Sequence, residues 1–418
     1  MAETSFSRLS TANTYDNALR NIQSRQSALA SLQENLTSGK RVVVASDDPT
    51  GAAQAERSLT RLSRIATDQR ALEAQRNSIA MAESTLGNIT DAMQSFRELV
   101  VTAGNGTHTA EERKTIALQL NGLREQILGY ANRKDTNGMP LFGALASAMT
   151  PFVGPQGAAP DYTFAGLPGQ RVSTDVTIPF TLDGDSAFMH HSARDGVFNV
   201  TTSTIPGSRN LQTSGVQVSN PAQITGSAYT LGISAVDTTT VPGTTTVTYS
   251  VTENPSVSGP IAPQTASYPS AQPGTITVTA MPGLTLNLTG TPAVGDTISI
   301  SPNPSVFSVL DNAIRDIGGA VNANAAAQAV GQALHNIDIG MSRISAVRGQ
   351  AGDLLNRADR ITSNQQTRSI QLEADRSRAE DLDMIKGVSD FQKQQTGYQA
   401  ALQSYAQVQK LSLFNYIS

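Results

Sequence analysis

Apolar residues recur at heptad spacing along both ends of the chain and at alternating spacing only in its middle. From Ile65 one column runs Ile65, Leu72, Ile79, Leu86, Met93, Val100. A second runs Asp68, Gln75, Ala82, Ile89, Phe96, Ala103, polar at first and apolar later. A repeat sustained this long predicts a helix packed against other helices along its length, with Gly104 and Gly106 as its stop. Thr109, with Glu112 three residues on, is a capping-box pattern that opens another helix, whose apolar positions are Ile116, Leu120, Leu123, Ile127 and Tyr130. An earlier seam runs Tyr15, Ala18, Ile22, Leu29, Leu32, Leu36 as far as Gly39, with Arg25 as an intruder. Towards the other end Ile337, Ile344, Ala351 and Ala358 form a column beside Met341 and Leu355. Met384, Val388, Phe391, Tyr398, Leu402 and Tyr405 continue the spacing, interrupted by Gln395.

Proline confirms the division. Seventeen of the 19 prolines lie between Pro151 and Pro304, and an interior proline costs a helix about 3 kcal/mol, so the flanks are free to be long helices and the middle is not. The middle is rich in Thr, Ser, Val and Gly, with alternating runs such as Val247-Thr248-Tyr249-Ser250-Val251 and Thr277-Val278-Thr279, broken at Pro242-Gly243 and Asn303-Pro304. Such runs predict short antiparallel strands, and 144–305 reads as an inserted β-rich domain; a disordered Ser/Thr/Pro linker is the alternative. The fold class is therefore α+β, long discontinuous helices from the two ends forming a coiled-coil bundle around a β-rich insert.

Charge and composition narrow the function. A net charge of −4 over 418 residues, with no basic tract, argues against a nucleic-acid partner. No apolar run reaches the length of a membrane span, and the first 16 residues lack the basic and apolar regions of a secretory signal. The chain has no Cys, so thiol nucleophiles, disulfides and thiolate metal sites are all excluded.

Candidate chemistry is sparse. His190-His191, near Asp183, Asp185 and Asp195, lacks metal-ligand spacing, and on a strand the two rings would point to opposite faces. His108 and His335 read as surface or packing residues. No His-Glu-x-x-His, phosphate-binding loop or Gly-x-Ser-x-Gly elbow is present, so no catalytic, metal or cofactor residue is expected. Ser46-Asp47-Asp48-Pro49 reads as a helix start, Asp48 capping and Pro49 at the first helical position, rather than an acidic metal site. The terminal seams are too polar to hold well alone. Isolated helices of this kind are marginal in water, so both ends are expected to order only against partner subunits.

Several segments resemble the N-terminal region of bacterial flagellins and flagellin-like hook-associated proteins: Arg8-Leu9-Ser10-Thr11 followed by Tyr15, Leu36-Thr37-Ser38-Gly39-Lys40-Arg41, Ala45-Ser46-Asp47-Asp48-Pro49, and Ala131-Asn132 through Asn137-Gly138 to Leu141-Phe142-Gly143. Ser412-Leu413-Phe414-Asn415-Tyr416-Ile417 is similar to the terminus of the members that join hook to filament, and Pro49 stands where flagellin usually has Ala. Both features favour those members over flagellin itself. The resemblance covers about 1–143 and 306–418 and implies a structural protein, not an enzyme, exported unfolded by the flagellar type III apparatus with the help of an export chaperone. Outside the cell it would form a ring of about eleven subunits between hook-associated protein 1 and flagellin. It also implies three domains: 1–42 with 384–418 as the inner terminal helices, 43–143 with 306–383 as a helical bundle, and 144–305 projecting outward, where it could serve as an adhesin. The assembly seam would be Tyr15, Ile22, Leu29, Leu36, Met384, Val388, Phe391, Tyr398, Leu402, Tyr405, Leu413, Phe414, Tyr416 and Ile417, with Ser46, Asp47, Asp48 and Pro49 as the inter-domain connection.

Overall fold

A computed structural model describes residues 4–145, 150–156, 161–203, 205–206 and 209–417; for 4–12, 14, 156 and 408–417 only the backbone is described. Three helices come first, α1 (Thr4–Ser38), α2 (Pro49–Ala103) and α3 (Ala110–Ala131). A hairpin follows, β1 (Phe152–Gln156) and β2 (Asp161–Phe164), then two short helices, α4 (Gly184–Phe188) and α5 (Ser192–Asp195). Nine strands come next: β3 (Phe198–Thr202), β4 (Leu211–Thr213), β5 (Gln217–Val218), β6 (Ala228–Asp237), β7 (Thr244–Asn254), β8 (Gln264–Pro269), β9 (Gly274–Val278), β10 (Leu284–Gly290) and β11 (Thr297–Pro302). The chain closes with α6 (Val306–Gly318), α7 (Ala323–Glu380) and α8 (Met384–Ile417).

The chain divides into two compact units, residues 1–70 with 362–418, and residues 71–361. This division falls inside α2 and α7, not at the helix ends where the sequence places domain boundaries.

In the unit 71–361 the heptad columns become a core. Leu72, Ile79, Leu86, Met93 and Val100 from α2 and Ile337, Ile344, Ala351 and Ala358 from α7 are buried together. Ion pairs Arg76–Asp359 (3.1 Å), Arg348–Glu83 (2.8 Å) and Arg97–Asp338 (2.8 Å) descend one helix as they climb the other, so the two run antiparallel. The capping box at Thr109 forms as the sequence indicates. Gln75, polar in an apolar column, is buried because its Oε1 accepts from the Ile178 amide at 3.0 Å.

That contact marks a departure from the expected insert. Phe152, Tyr162, Ile178, Leu182, Phe188 and Val197 belong to the helical core, where Phe307 of α6 lies 5.3 Å from Phe152, 5.2 Å from Tyr162 and 5.5 Å from Phe188 between ring centres. Asn132 holds β1 from both sides, donating to the Phe152 carbonyl and accepting from its amide, each at 2.9 Å. Gly184 is required by close approach, since a Cβ there would lie 2.4 Å from the Phe142 carbonyl oxygen. The separate β core begins only at Phe198.

From Phe198 onward the chain forms two antiparallel sheets. One has five strands in the order β3-β11-β6-β7-β8; in the other β10 is flanked by β9 on one side and by β4 and β5 on the other. They share a core that includes Val200, Tyr229, Leu231, Val247, Ile276, Leu286 and Ile298. Strand β7 alternates buried and outward residues, as a strand with one apolar face must, and Gly243 at φ +77 turns β6 into β7.

The neck between this sandwich and the helices holds the histidine pair. The two residues lie in the turn between α4 and α5, not on a strand: Asp183 caps α4, and His191 stands directly ahead of α5. His190 is buried; its amide donates to the Pro304 carbonyl at 2.8 Å and its Nδ1 faces the Asn303 carbonyl at 3.2 Å. His191 Nε2 sits 2.9 Å from Asp185. Arg343 of α7 donates to the Met189 carbonyl at 2.8 Å and pairs with Asp195 at 2.9 Å.

Burial, reinforced by the Arg343 charge, pushes the His190 imidazole down to about 4 from 6.5, against the opposing pull of the Asn303 carbonyl and Asp195. The folded state therefore binds this proton less readily than the unfolded chain. Its contribution is complete above pH 6.5 and is lost as the pH falls towards 4, by up to about 3 kcal/mol. The denaturation midpoint should fall more between pH 7 and 4.5 for the natural chain than for His190→Asn; parallel profiles would exclude this assignment.

Candidate assembly surface and elbow

Nothing among the described residues gathers three or more metal-ligating side chains, and no helix among them is long and apolar enough to cross a membrane. What the sequence singles out instead are the terminal seams and the segment before α2, all within the unit 1–70 with 362–418.

Helices α1 and α8 lie side by side and antiparallel. The Tyr15 and Tyr405 hydroxyls are 2.5 Å apart with ring centres at 5.4 Å, and Arg25 Nη1 lies 3.4 Å from Gln394 Oε1. The seam residues Ile22, Leu29, Leu36, Phe391, Tyr398 and Tyr405 are half-buried. Tyr15, Met384, Val388 and Leu402 remain 39, 49, 44 and 41% exposed. No described apolar side chain of either helix is buried, whereas Ile79, Leu86 and Met93 in the bundle are at 0%. The seam is thus covered on one side only, by its partner helix. The side chains of Leu413, Phe414, Tyr416 and Ile417 lie outside the described residues.

The elbow connects these helices to α2 and α7. Gly39 ends α1 in the left-handed region at φ +71, a conformation that favours glycine, and its carbonyl accepts from Leu382 at 2.9 Å. The Arg41 and Val42 amides both donate to the Glu380 carbonyl, at 2.7 and 3.3 Å, and Lys40 pairs with the Glu380 carboxylate. Asp47 accepts from the Val43 and Val44 amides at 3.1 and 3.0 Å, closing the turn. Asp48 is the N-cap the sequence indicates: its Oδ1 accepts from the Gly51 amide at 3.0 Å and from Thr50 at 2.7 Å, with Pro49 next at the first helical position. These bonds, the Gly51 amide first, and the Arg41 guanidinium hold its carboxyl down at about 2. Ser46 is exposed.

Two contributors escape the sequence patterns. The Arg41 guanidinium donates to the Ala379 carbonyl at 2.8 Å and to Asp48 at 3.1 Å, so one cation serves the C-terminal end of α7 and the anion that caps α2. The first contact suits the dipole of α7, whose C-terminal end favours a cation, and Asp48 suits that of α2. No local signal marks Arg41, because Ala379 is 338 residues away. Asp383, whose Oδ1 accepts from the Ile385 and Lys386 amides at 3.1 Å, caps α8; an Asp just ahead of an apolar period is a start signal that could have been read.

Comparison with known proteins places this geometry. The model of the bacterial flagellin N-terminal helical region matches residues 9–146, and that of the flagellin C-terminal helical region matches 334–417. Flagellar hook-associated protein 3 of Salmonella typhimurium is 33% identical over 153 residues, which is 35% of this chain and 46% of that protein. The matched stretch thus spans under half the length of that relative. Among solved structures, the flagellar junction protein FlgL from Legionella pneumophila superposes with a TM-score of 0.58 at 25% identity, over 73% of this chain and 99% of that one. FlgL from Xanthomonas campestris, at 22% identity, shares the fold with a TM-score of 0.56 over 76% of this chain and 99% of its own.

Proposed function

Since the chain belongs to the bacterial flagellin family of flagellar structural proteins, with both helical regions present, we propose that it is the junction subunit between hook-associated protein 1 and the flagellin filament. One observation carries the assembly reading: the α1 and α8 seams pair with each other yet leave every described apolar side chain short of burial. Apolar seams on two paired helices, each broken only near its middle, are what a polymer of such pairs would bury.

In this reading Tyr15, Ile22, Leu29, Leu36, Met384, Val388, Phe391, Tyr398, Leu402 and Tyr405 face neighbouring subunits as well as each other, Leu413, Phe414, Tyr416 and Ile417 extend that surface, and the Ser46–Pro49 elbow sets the direction of the pair. Subunits related by rotation close into a ring, of about eleven if the likeness to hook-associated proteins extends to symmetry. Export in the unfolded state, with a chaperone covering the α8 seam, fits helices whose stability comes from partners. The chain would then act outside the cell. The sandwich, which takes no part in the helical core, is free to carry a second function such as adhesion.

The test adds purified chain to hook-basal bodies that already carry hook-associated protein 1. Incorporation followed by growth of flagellin supports the junction role. Unaided growth of the chain into long filaments would instead identify a flagellin, and failure to incorporate would reject both.

A further inference from the structure

Where α7 passes the sandwich it turns a row of polar side chains towards main-chain groups. Gln328, Gln332, His335 and Asn336 recur at helical spacing on one face; Gln328, Gln332 and Asn336 are buried, while Ala329, Val330, Ala333 and Ile337 beside them belong to the helical core. Their targets are the outer edges of the sheets. In β4 the Ser214 amide donates to the Asn287 carbonyl at 2.8 Å and the Asn210 carbonyl accepts from the Thr291 amide at 2.7 Å. Alternate residues thus face β10, and Thr213 turns its N–H and C=O outward. Gln328 Oε1 accepts from the Thr213 amide at 2.7 Å, and Gln332 Nε2 donates to the Ser214 carbonyl at 2.6 Å and to the Thr213 carbonyl at 3.3 Å. His335 Nε2 stands 3.1 Å from the Val216 carbonyl, just ahead of β5, and its ring packs so closely on Gly215 that a Cβ there would overlap it. On the facing sheet Asn336 Nδ2 donates to the Phe198 carbonyl of the edge strand β3 at 2.9 Å.

We infer that this face of α7 caps the β4–β5 edge and keeps it from pairing with the same edge of a second copy of the chain. An open edge presents unpaired N–H and C=O groups that another strand can join, and covering it with a helix is one way to close it. The edge itself carries no other block. Residues 210–218, Asn-Leu-Gln-Thr-Ser-Gly-Val-Gln-Val, contain no charge and no proline, a composition that favours strand pairing between copies. Apolar side chains on α7 would cover the edge equally well but would leave the Thr213 amide and the Ser214 and Val216 carbonyls without partners, a costly state for buried groups. Amide side chains, each with a donor and an acceptor, cover the edge and satisfy it together. At the other side of the sandwich β8 and β9 lie against each other, with the Tyr268 ring on Gly274. The cap lies within the unit 71–361 and does not depend on how the terminal helices assemble.

The test is the full-length chain carrying Gln328→Ala, Gln332→Ala and His335→Ala together. Hydrogen exchange at the Thr213 amide should quicken severalfold, and light scattering should show concentration-dependent association beyond that of the natural chain. Adding Thr213→Pro should return association to the natural level. Proline here gives up only an outward N–H, so the ladder to β10 stays intact while the edge loses the donor that a second strand would use. Three results would each overturn the inference: unchanged exchange at Thr213, faster exchange without association, or association that persists with Thr213→Pro. If the triple variant loses its main helical transition, Gln332→Ala alone, which frees the Thr213 and Ser214 carbonyls, is judged by the same three criteria.

Discussion

Phe307→Ala is expected to destabilise the unit 71–361 by about 3–5 kcal/mol, the range for removing a fully buried aromatic side chain. Phe307 is 0% exposed, and its ring meets three others supplied by different elements, Phe152 of β1, Tyr162 of β2 and Phe188 of α4. The rings of Phe152 and Phe188 also contact each other, at 5.1 Å, so the vacated volume is walled by groups already held in place. Partial collapse is therefore a poor remedy, and the loss combines transfer energy with a retained cavity. Against a typical domain stability of about 5–15 kcal/mol this is a large fraction. A denaturation series should show a lower midpoint at an unchanged slope. A loss below about 1 kcal/mol would mean that the cluster relaxes and does not anchor the hairpin to the bundle.

Removing residues 384–418 should have the opposite signature, abolishing incorporation into the flagellar polymer while the unit 71–361 keeps its stability. Neither hydrophobic core draws a described side chain from α8. Its deletion uncovers the α1 face whose Ile22, Leu29 and Leu36 are only half-buried and leaves every buried heptad residue of the bundle in place. What is lost is half of the seam proposed to bind neighbours. Circular dichroism should show a helix loss proportional to α8 and an unaltered main transition, and the truncated chain should fail to bind hook-basal bodies. Incorporation of the truncated chain would remove the seam from the assembly reading, whereas collapse of the main transition would show α8 to be part of the fold.

The two outcomes differ because the chain keeps two kinds of apolar surface. In the bundle the heptads are sealed by α7 and by the hairpin; in the terminal pair the same periodicity is met by a single helix. The periodicity is legible in both places, but its degree of burial is not, since spacing reports which face is apolar and not how many elements cover it. The same limit explains Gln75 and Arg25. Each is a polar residue in an apolar column, indistinguishable as sequence. One is buried by a backbone amide over 100 residues away, and the other meets a glutamine from the opposite end of the chain.

By itself the sequence determined whatever depends on neighbours a few residues apart: the long helices, the capping box at Thr109, the Asp48-Pro49 start, the strand alternation of the sandwich and the confinement of proline to the middle. Tertiary structure decided where distant segments meet. It joined the hairpin and the 165–197 segment to the helical core, brought Arg41 to the end of α7, lodged His190 in the neck beside Arg343, and aligned Arg25 with Gln394. These pairings follow from the path of the backbone, which brings into contact residues that carry no mark of each other in the sequence.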